Sequence, residues 1–298
     1  MPDNRTCDLH VHSTYSEGVL TPAELVERAK SNDIGAMVLT DHNDISGISE
    51  FQGSAAEAQI ETLTGIELYV RFQGKNLHLL GYGFTTGNMS LNNLLGLLQE
   101  DRRAKIQTSL AALQAAGFKV DPLFITTIPS KYPGLAQIIS HLEDDEENNR
   151  KIAADFALRK PDLFSIINMY FAEGKPAYLP ESSVTLEEGV RQIGQAGGIA
   201  VLAHPGQQLM AEEDHIIYDA LAAGVRGIEV VSPYHTWHQV EHYQNLALDA
   251  GVIMTGGSDF HTDINFTSRE KIANQWQIHK VPYQLFTGLK QALNLGNP

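Results

Sequence analysis

One cysteine, Cys7, in 298 residues leaves no intrachain disulfide framework and no cysteine-based zinc site. No apolar run approaches the roughly 20 residues needed to span a bilayer. No basic segment followed by an apolar core opens the chain, so no signal peptide is expected. Positive charge is scarce: 21 Lys and Arg against 36 Asp and Glu give a net charge of −15, and no basic block stands out. Proteins that grip nucleic acid along its backbone carry the opposite sign. These absences point to a cytoplasmic protein with no membrane partner, no long nucleic-acid partner and no obligate protein partner. Internal repeats, low-complexity tracts and long linkers are missing as well. What is present is histidine, 12 residues of it, and a hydrophobic content of 43%, normal for a soluble globular chain. This length suits one large α/β barrel, with or without an insertion.

The first structured stretch, Cys7-Asp8-Leu9-His10-Val11-His12-Ser13, alternates apolar with polar residues. Such alternation predicts a strand with one face buried and the other projecting Asp8, His10 and His12, with Glu17 following in the loop. Two histidines spaced i, i+2 on a strand point the same way and can reach one ion. Thr21-Pro22-Ala23-Glu24 then carries the signature of a helix start. The apolar run 36–39 reads as a parallel strand buried on both faces, and it ends in Thr40-Asp41-His42-Asn43. Further strands are expected at 60–67, closing on Gly65-Ile66-Glu67, and at 76–82, carrying His78 between two leucines. A long helix from Leu91 to Ala115 carries Arg102, Arg103 and Lys105.

From about Val120 to Ala177 strand signals vanish, which predicts a small, mostly helical insertion over 119–177 between the fourth and fifth strands of a barrel formed by 1–118 and 178–298. Its acidic run, Glu143 to Glu147, reads as a solvated loop or helix end. Strand and helix then alternate again. The strand 199–203 ends in His204-Pro205-Gly206, the strand 227–231 contains Glu229, and the strand 252–255 ends in Ser258-Asp259-Phe260-His261. In a parallel β/α barrel the C-terminal strand ends share one face, where active sites sit. His10, His12, His42, Glu67, His204, Asp259 and His261, with His78 and Glu17, would therefore converge although they are scattered over 250 residues.

Taken in order, Asp8-Leu9-His10-Val11-His12-Ser13, Thr40-Asp41-His42-Asn43, Gly65-Ile66-Glu67, Ala203-His204-Pro205-Gly206 and Ser258-Asp259-Phe260-His261 resemble the motifs of the PHP (polymerase and histidinol phosphatase) superfamily. The resemblance is nearest to its stand-alone branch of nucleoside 3′,5′-bisphosphate phosphatases and covers almost the whole chain. It implies a distorted (β/α)7 barrel with a trinuclear metal centre. On that resemblance His10, His12, Glu67 and Asp259 hold one ion. Glu67 bridges to a second with His78 and His204, and Glu17, His42 and His261 hold a third. Asp8 and Asp41 would orient neighbouring histidines. Mixed His and carboxylate ligation suits two or three Mn, Fe or Zn ions without discriminating among them.

The implied activity is that of a metal-dependent hydrolase: a metal-activated hydroxide attacks the phosphate monoester of a small phosphorylated metabolite. His235, a histidine outside the ligand set just past a strand end, is the candidate proton donor to the leaving group. Relatives place an Arg-x-x-Arg pair on the long helix to meet substrate phosphate; the match here is Arg102 with Lys105, and Arg103 lies beside it. Where relatives carry Gly-Arg-Pro-His, this chain has Ser130-Lys131-Tyr132-Pro133-Gly134, so Lys131 is a displaced substitute. Three alternatives stand: a cyclic-phosphate phosphodiesterase, a 5′ exonuclease of short oligonucleotides, and a non-catalytic metal-binding regulatory module. Glu229 is expected to lie outside the centre, because no metal motif includes it.

Overall fold

The computed structural model describes residues 5–157, 161–262, 276 and 279–296. Its strands are β1 (Thr6–Val11), β2 (Ile34–Leu39), β3 (Gly65–Phe72), β4 (Lys75–Tyr82), β5 (Val184–Thr185), β6 (Ile199–Leu202), β7 (Gly227–Val231), β8 (Ile253–Gly256) and β9 (Val281–Pro282). They form two sheets, β2-β1-β9 and β5-β3-β4-β6-β7-β8. Isolated parallel bridges join them at both seams, Ala36–Glu61 and His42–Glu67 on one side and Val11–Phe260 on the other. The result is a distorted barrel around which β1, β2, β3, β4, β6, β7 and β8 follow one another. Two glycines make the seams possible. A Cβ on Gly65 would sit 2.4 Å from the Leu39 carbonyl oxygen, and one on Gly257 would sit 2.3 Å from His10 Cβ.

Helices lie outside. Thr21 caps α1 (Pro22–Lys30), its hydroxyl accepting from Glu24 N–H while the Glu24 carboxylate accepts from Thr21 N–H. Then come α2 (Ile48–Ala58) and the 27-residue α3 (Met89–Ala115). The insertion contributes α4 (Leu135–Glu143), α5 (Glu146–Asp155) and the single turn α6 (Leu163–Ile166). After it come α7 (Leu186–Gln195), the short α8 (Pro205–Gln208), α9 (Asp214–Ala222), α10 (Trp237–Ala250) and α11 (Tyr283–Gly296). No helix among the described residues is long and apolar enough to cross a membrane.

Packing separates two bodies along α3. Leu91 and Leu95 join a barrel cluster with Ile66, Leu68, Leu79 and Leu202. Ile106, Leu110, Leu113 and Phe118 pack instead with Phe124, Ile138, Leu142 and Phe171 of the insertion. The acidic run lies at the surface, where Asp145 caps α5 by accepting from the N–H groups of Glu147 and Asn148.

Three expectations are corrected. First, β1 is buried on both faces, because its polar side lines the barrel interior instead of facing water. Second, β3 starts at Gly65 where the sequence suggested an end: Glu61 makes an isolated bridge to Ala36, and the chain turns before β3 begins. Third, β4 runs antiparallel to both β3 and β6. Only Gln73 and Gly74, at φ 48° and 78°, connect Phe72 to Lys75. Two residues with positive φ make a hairpin turn, whereas a parallel crossover needs a dozen or more.

Candidate metal centre

The topology explains how the ligands meet. His10 and His12 leave the same side of the β1 end, and His42 follows β2. Glu67 lies near the start of β3, bridged to His42 across the seam. Because β4 is reversed, His78 near its beginning reaches the same end of the barrel, opposite Tyr69 in register. His204 follows β6, and Asp259 and His261 follow β8. Asn43 and Asp259 adopt positive φ of 48° and 47°, a conformation that Asn and Asp tolerate better than other non-glycine residues.

Glu67 stands at the centre, fully buried. Its Oε2 lies 3.1 Å from His10 Nε2, 3.2 Å from His12 Nε2 and 3.0 Å from His42 Nδ1. Its Oε1 lies 2.8 Å from His78 Nδ1 and 3.2 Å from His204 Nε2. Asp259 Oδ1 is 3.2 Å from His10 Nε2 and 3.0 Å from His12 Nε2. Ligand atoms of His10, His12, Glu67 and Asp259 all lie within 4.8 Å of one another; so do those of His12, His42 and His261. His261 stacks on His12 at 4.1 Å between ring centroids, and its Nδ1 is 2.9 Å from the Asp259 carbonyl oxygen.

These groups fit a divalent metal on one observation. His10 Nε2, His12 Nε2, His42 Nδ1, Glu67 Oε2 and Asp259 Oδ1 are buried and lack any partner in hydrogen-bond geometry. Orphaned polar atoms are rare in protein interiors, and cations held among these groups would satisfy them. The charges of these groups are strongly coupled. Burial opposes charge on Glu67, yet His42, His10 and His78 hold its carboxyl well below the usual range. Burial likewise opposes protonation of His10, and Glu67, Glu229 and Asp259 outweigh it, raising its pKa. Burial pushes the His42 ring well below its ordinary value.

Glu17, expected beside His42 and His261, falls in none of the ligand groups among the described residues. Its carboxylate occupies the space a side chain on Gly134 would need, at the junction with the insertion. Burial and the neighbouring Glu181 carboxylate push its carboxyl up to about 7.

Among the described residues, Asp8 and Asp41 bond to no imidazole; they hold loops. Asp8 accepts from Ser258 N–H, Ser258 Oγ and Trp276 Nε1, which fixes the segment carrying Asp259. Asp41 accepts from Ser13 N–H, Ser13 Oγ and Ser16 Oγ. It reaches His12 only through Ser16, whose Oγ is 3.3 Å from His12 Nδ1.

His235 is corrected as a proton donor. Its Nδ1–H donates to the Val230 carbonyl at 2.8 Å, and its Nε2 accepts from Gly206 N–H at 3.1 Å. Both nitrogens are committed to backbone, and burial lowers its pKa. It pins the His204-Pro205-Gly206 turn to the end of β7.

Glu229 overturns the opposite expectation. It is fully buried inside the cluster, its Oε1 3.0 Å from His10 Nδ1 and its Oε2 accepting from His204 N–H at 2.9 Å. The signal in the sequence was a carboxylate inside an apolar strand, Ile228-Glu229-Val230. Two aromatic neighbours were also missed: Tyr69 stacks on His42 at 4.4 Å, and Tyr234 meets His204 edge-on at 5.5 Å.

Of the basic residues of α3, Arg102 reaches the insertion and Lys105 the segment just after it. Arg102 is fully buried; its Nε donates to the Pro133 carbonyl and its Nη1 pairs with Glu181 Oε2 at 3.1 Å, while Nη2 is unpartnered. Lys105 binds Asp101 Oδ2 at 2.6 Å and the Glu181 carbonyl at 3.1 Å. Arg103 is partly buried, with no described ion pair to the centre, and the Lys131 side chain is exposed.

Comparison with known proteins agrees with this geometry. The sequence matches the PHP domain family over residues 8–159. It is 31% identical over 258 residues to a 3′,5′-nucleoside bisphosphate phosphatase of Chromobacterium violaceum, spanning 85% of this chain and 86% of that one. It is 30% identical to a 5′-3′ exoribonuclease of Haemophilus influenzae over 85% and 89% of the two chains. It is 28% identical to a phosphoribosyl 1,2-cyclic phosphate 1,2-diphosphodiesterase of Eggerthella lenta over 85% and 93%. A solved structure from Chromobacterium violaceum, described as an amidohydrolase with bound sulfate and no metal, superposes with a TM-score of 0.76 at 28% identity, covering 98% of this chain and 96% of that one. With the motifs, the barrel and these matches in agreement, the chain belongs to the PHP domain family.

Proposed function

We propose that this metal-dependent phosphoesterase removes a phosphoryl group from a small phosphorylated metabolite, a nucleotide or sugar carrying more than one phosphate. One observation carries the reading: the two oxygens of Glu67 address two different sets of histidines, His10, His12 and His42 on one side, His78 and His204 on the other. A carboxylate so placed is suited to bridge two divalent ions. His10, His12, Glu67 and Asp259 would hold the first, Glu67, His78 and His204 the second, and His42 and His261 a third together with Glu17. When bound, such ions neutralise charge on phosphoryl oxygens and supply an activated water at neutral pH.

The chain's own groups do the rest. Asp8 and Asp41 keep the β8 and β1 loops in register so that the ligand atoms stay aimed inward. Tyr69 walls the His42 side against water. The free Nη2 of Arg102 is the donor on α3 best suited to a substrate phosphate. The insertion, tied to α3 through the Arg102–Pro133 hydrogen bond, serves as a cap over the substrate. A second reading is a phosphodiester substrate, either a cyclic phosphate or the 5′ end of a short oligonucleotide. It is favoured by the cap segment Ser130–Gly134, which lacks the histidine of the bisphosphatase pattern. The test is hydrolysis by Mn²⁺-loaded protein, read as free phosphate from nucleoside bisphosphates and sugar phosphates and, by chromatography, as the new phosphomonoester from cyclic phosphates and trinucleotides. Turnover of a diester with none of any monoester refutes the first reading, and turnover of nothing refutes both.

A further inference from the structure

We infer that Glu229 is a positioning residue shared by two ion positions, holding the ring of His10 and the backbone of His204 with one carboxylate. This rests on the metal-dependent reading above, but not on the identity of the substrate. Glu229 is fully buried in β7, between β6 and β8. An ionised carboxylate only accepts hydrogen bonds. With Glu229 Oε1 3.0 Å away, His10 Nδ1 must therefore carry the ring hydrogen. That leaves the lone pair on Nε2, the atom that faces Glu67 and Asp259 at 3.1 and 3.2 Å. Glu229 Oε2 accepts from His204 N–H at 2.9 Å, which sets the residue whose Nε2 lies 3.2 Å from the other Glu67 oxygen.

His10, His204 and Glu229 also lie close enough to form an ion site of their own. His10 excludes that use. It would have to bind two ions through its two nitrogens, and a neutral imidazole has one lone pair to give. A partner that fixes ring orientation and tautomer accounts for every contact Glu229 makes, and it couples the two positions through one side chain.

Two measurements test this, and neither needs a substrate. In Glu229→Gln the amide has one acceptor and two donor hydrogens, so it cannot accept from both His10 Nδ1–H and His204 N–H. Zn²⁺ affinity, measured by competition with a chromophoric chelator on the full chain, should fall by roughly tenfold to a hundredfold, while the metal-free variant still unfolds in one cooperative transition. Wild-type affinity in the variant overturns the proposal. If the variant does not fold, the wild-type protein decides. With ¹⁵N-labelled histidine and bound Zn²⁺, the His10 ring should carry its hydrogen on Nδ1, slow to exchange with solvent. A hydrogen on Nε2 overturns the assignment, whatever the enzyme hydrolyses.

Discussion

Replacing Glu67 by Gln keeps the shape of the side chain and removes its charge from a point where five imidazole nitrogens lie between 2.8 and 3.2 Å. A carboxylate oxygen binds a divalent ion at roughly 2.0–2.2 Å. At an effective dielectric constant of about 20, a full charge at that distance from a dication is worth roughly 16 kcal/mol before solvation and relaxation offset most of it. If only about a tenth survives, ion affinity still falls more than about tenfold. The amide NH₂ adds a second fault, because it turns a donor toward nitrogens that must offer lone pairs. At least one ion should therefore be lost from protein purified without chelator, as read by elemental analysis. Turnover of a phosphoester should fall by at least ~10³-fold, about 4 kcal/mol of barrier. Circular dichroism should show the fold retained. Glu188→Gln is the control: its carboxylate pairs with Arg191 on the outside of α7, a surface contact worth at most about 1 kcal/mol. A Glu67→Gln protein with wild-type metal content and turnover within tenfold of wild type would refute the bridging role.

Three further outcomes are expected. Chelator should lower the melting temperature, because the ligand atoms orphaned in the core lose their partner; restoring Mn²⁺ at about 100 times its dissociation constant should return roughly 2.7 kcal/mol, and an unchanged melt counts against a structured ion site. Burial holds the His235 pKa below its unfolded value. The unfolded chain thus takes up a proton there that the folded chain refuses, and stability from this group falls as pH drops below about 6.5 and is flat above. His235→Asn should flatten that part of the acid slope in thermal melts while kcat stays within about tenfold; a loss beyond ~10² restores the ring as a proton donor. Arg102→Ala breaks the pair with Glu181, whose side chain is 31% exposed, and frees the Pro133 carbonyl, so it should cost about 1–3 kcal/mol and open the 119–177 segment to protease. An unchanged melt with a raised KM would instead give Arg102 wholly to the substrate.

The ligand histidines were legible because they end runs of buried apolar residues: Ala36 to Leu39 before His42, Ile199 to Ala203 before His204. Runs of that kind are strands, and the chemistry of a barrel gathers at one end of them. Strand direction was not legible. Alternation of apolar and polar residues reads the same forwards and backwards, and only the two-residue turn at Gln73-Gly74 reverses β4 and brings His78 in from its beginning. Depth was not legible either. Helical periodicity places Arg102 on α3, but nothing local to α3 says that the cap will bury it completely.

Glu229 shows where motif reasoning and physical reasoning part. By motif it lay outside the centre, because no ligand pattern included it. By physics it could not be idle: a carboxylate in the middle of an apolar strand stays charged only if something pairs with it. That requirement was visible in Gly227-Ile228-Glu229-Val230-Val231, but the partners were not. One is 219 residues away in the chain and the other 25, and they meet the carboxylate only once β1, β6 and β7 lie around one barrel mouth. An unpaired charge in a predicted buried strand is therefore evidence for a polar centre before any motif is matched, and the fold is what names the groups that answer it.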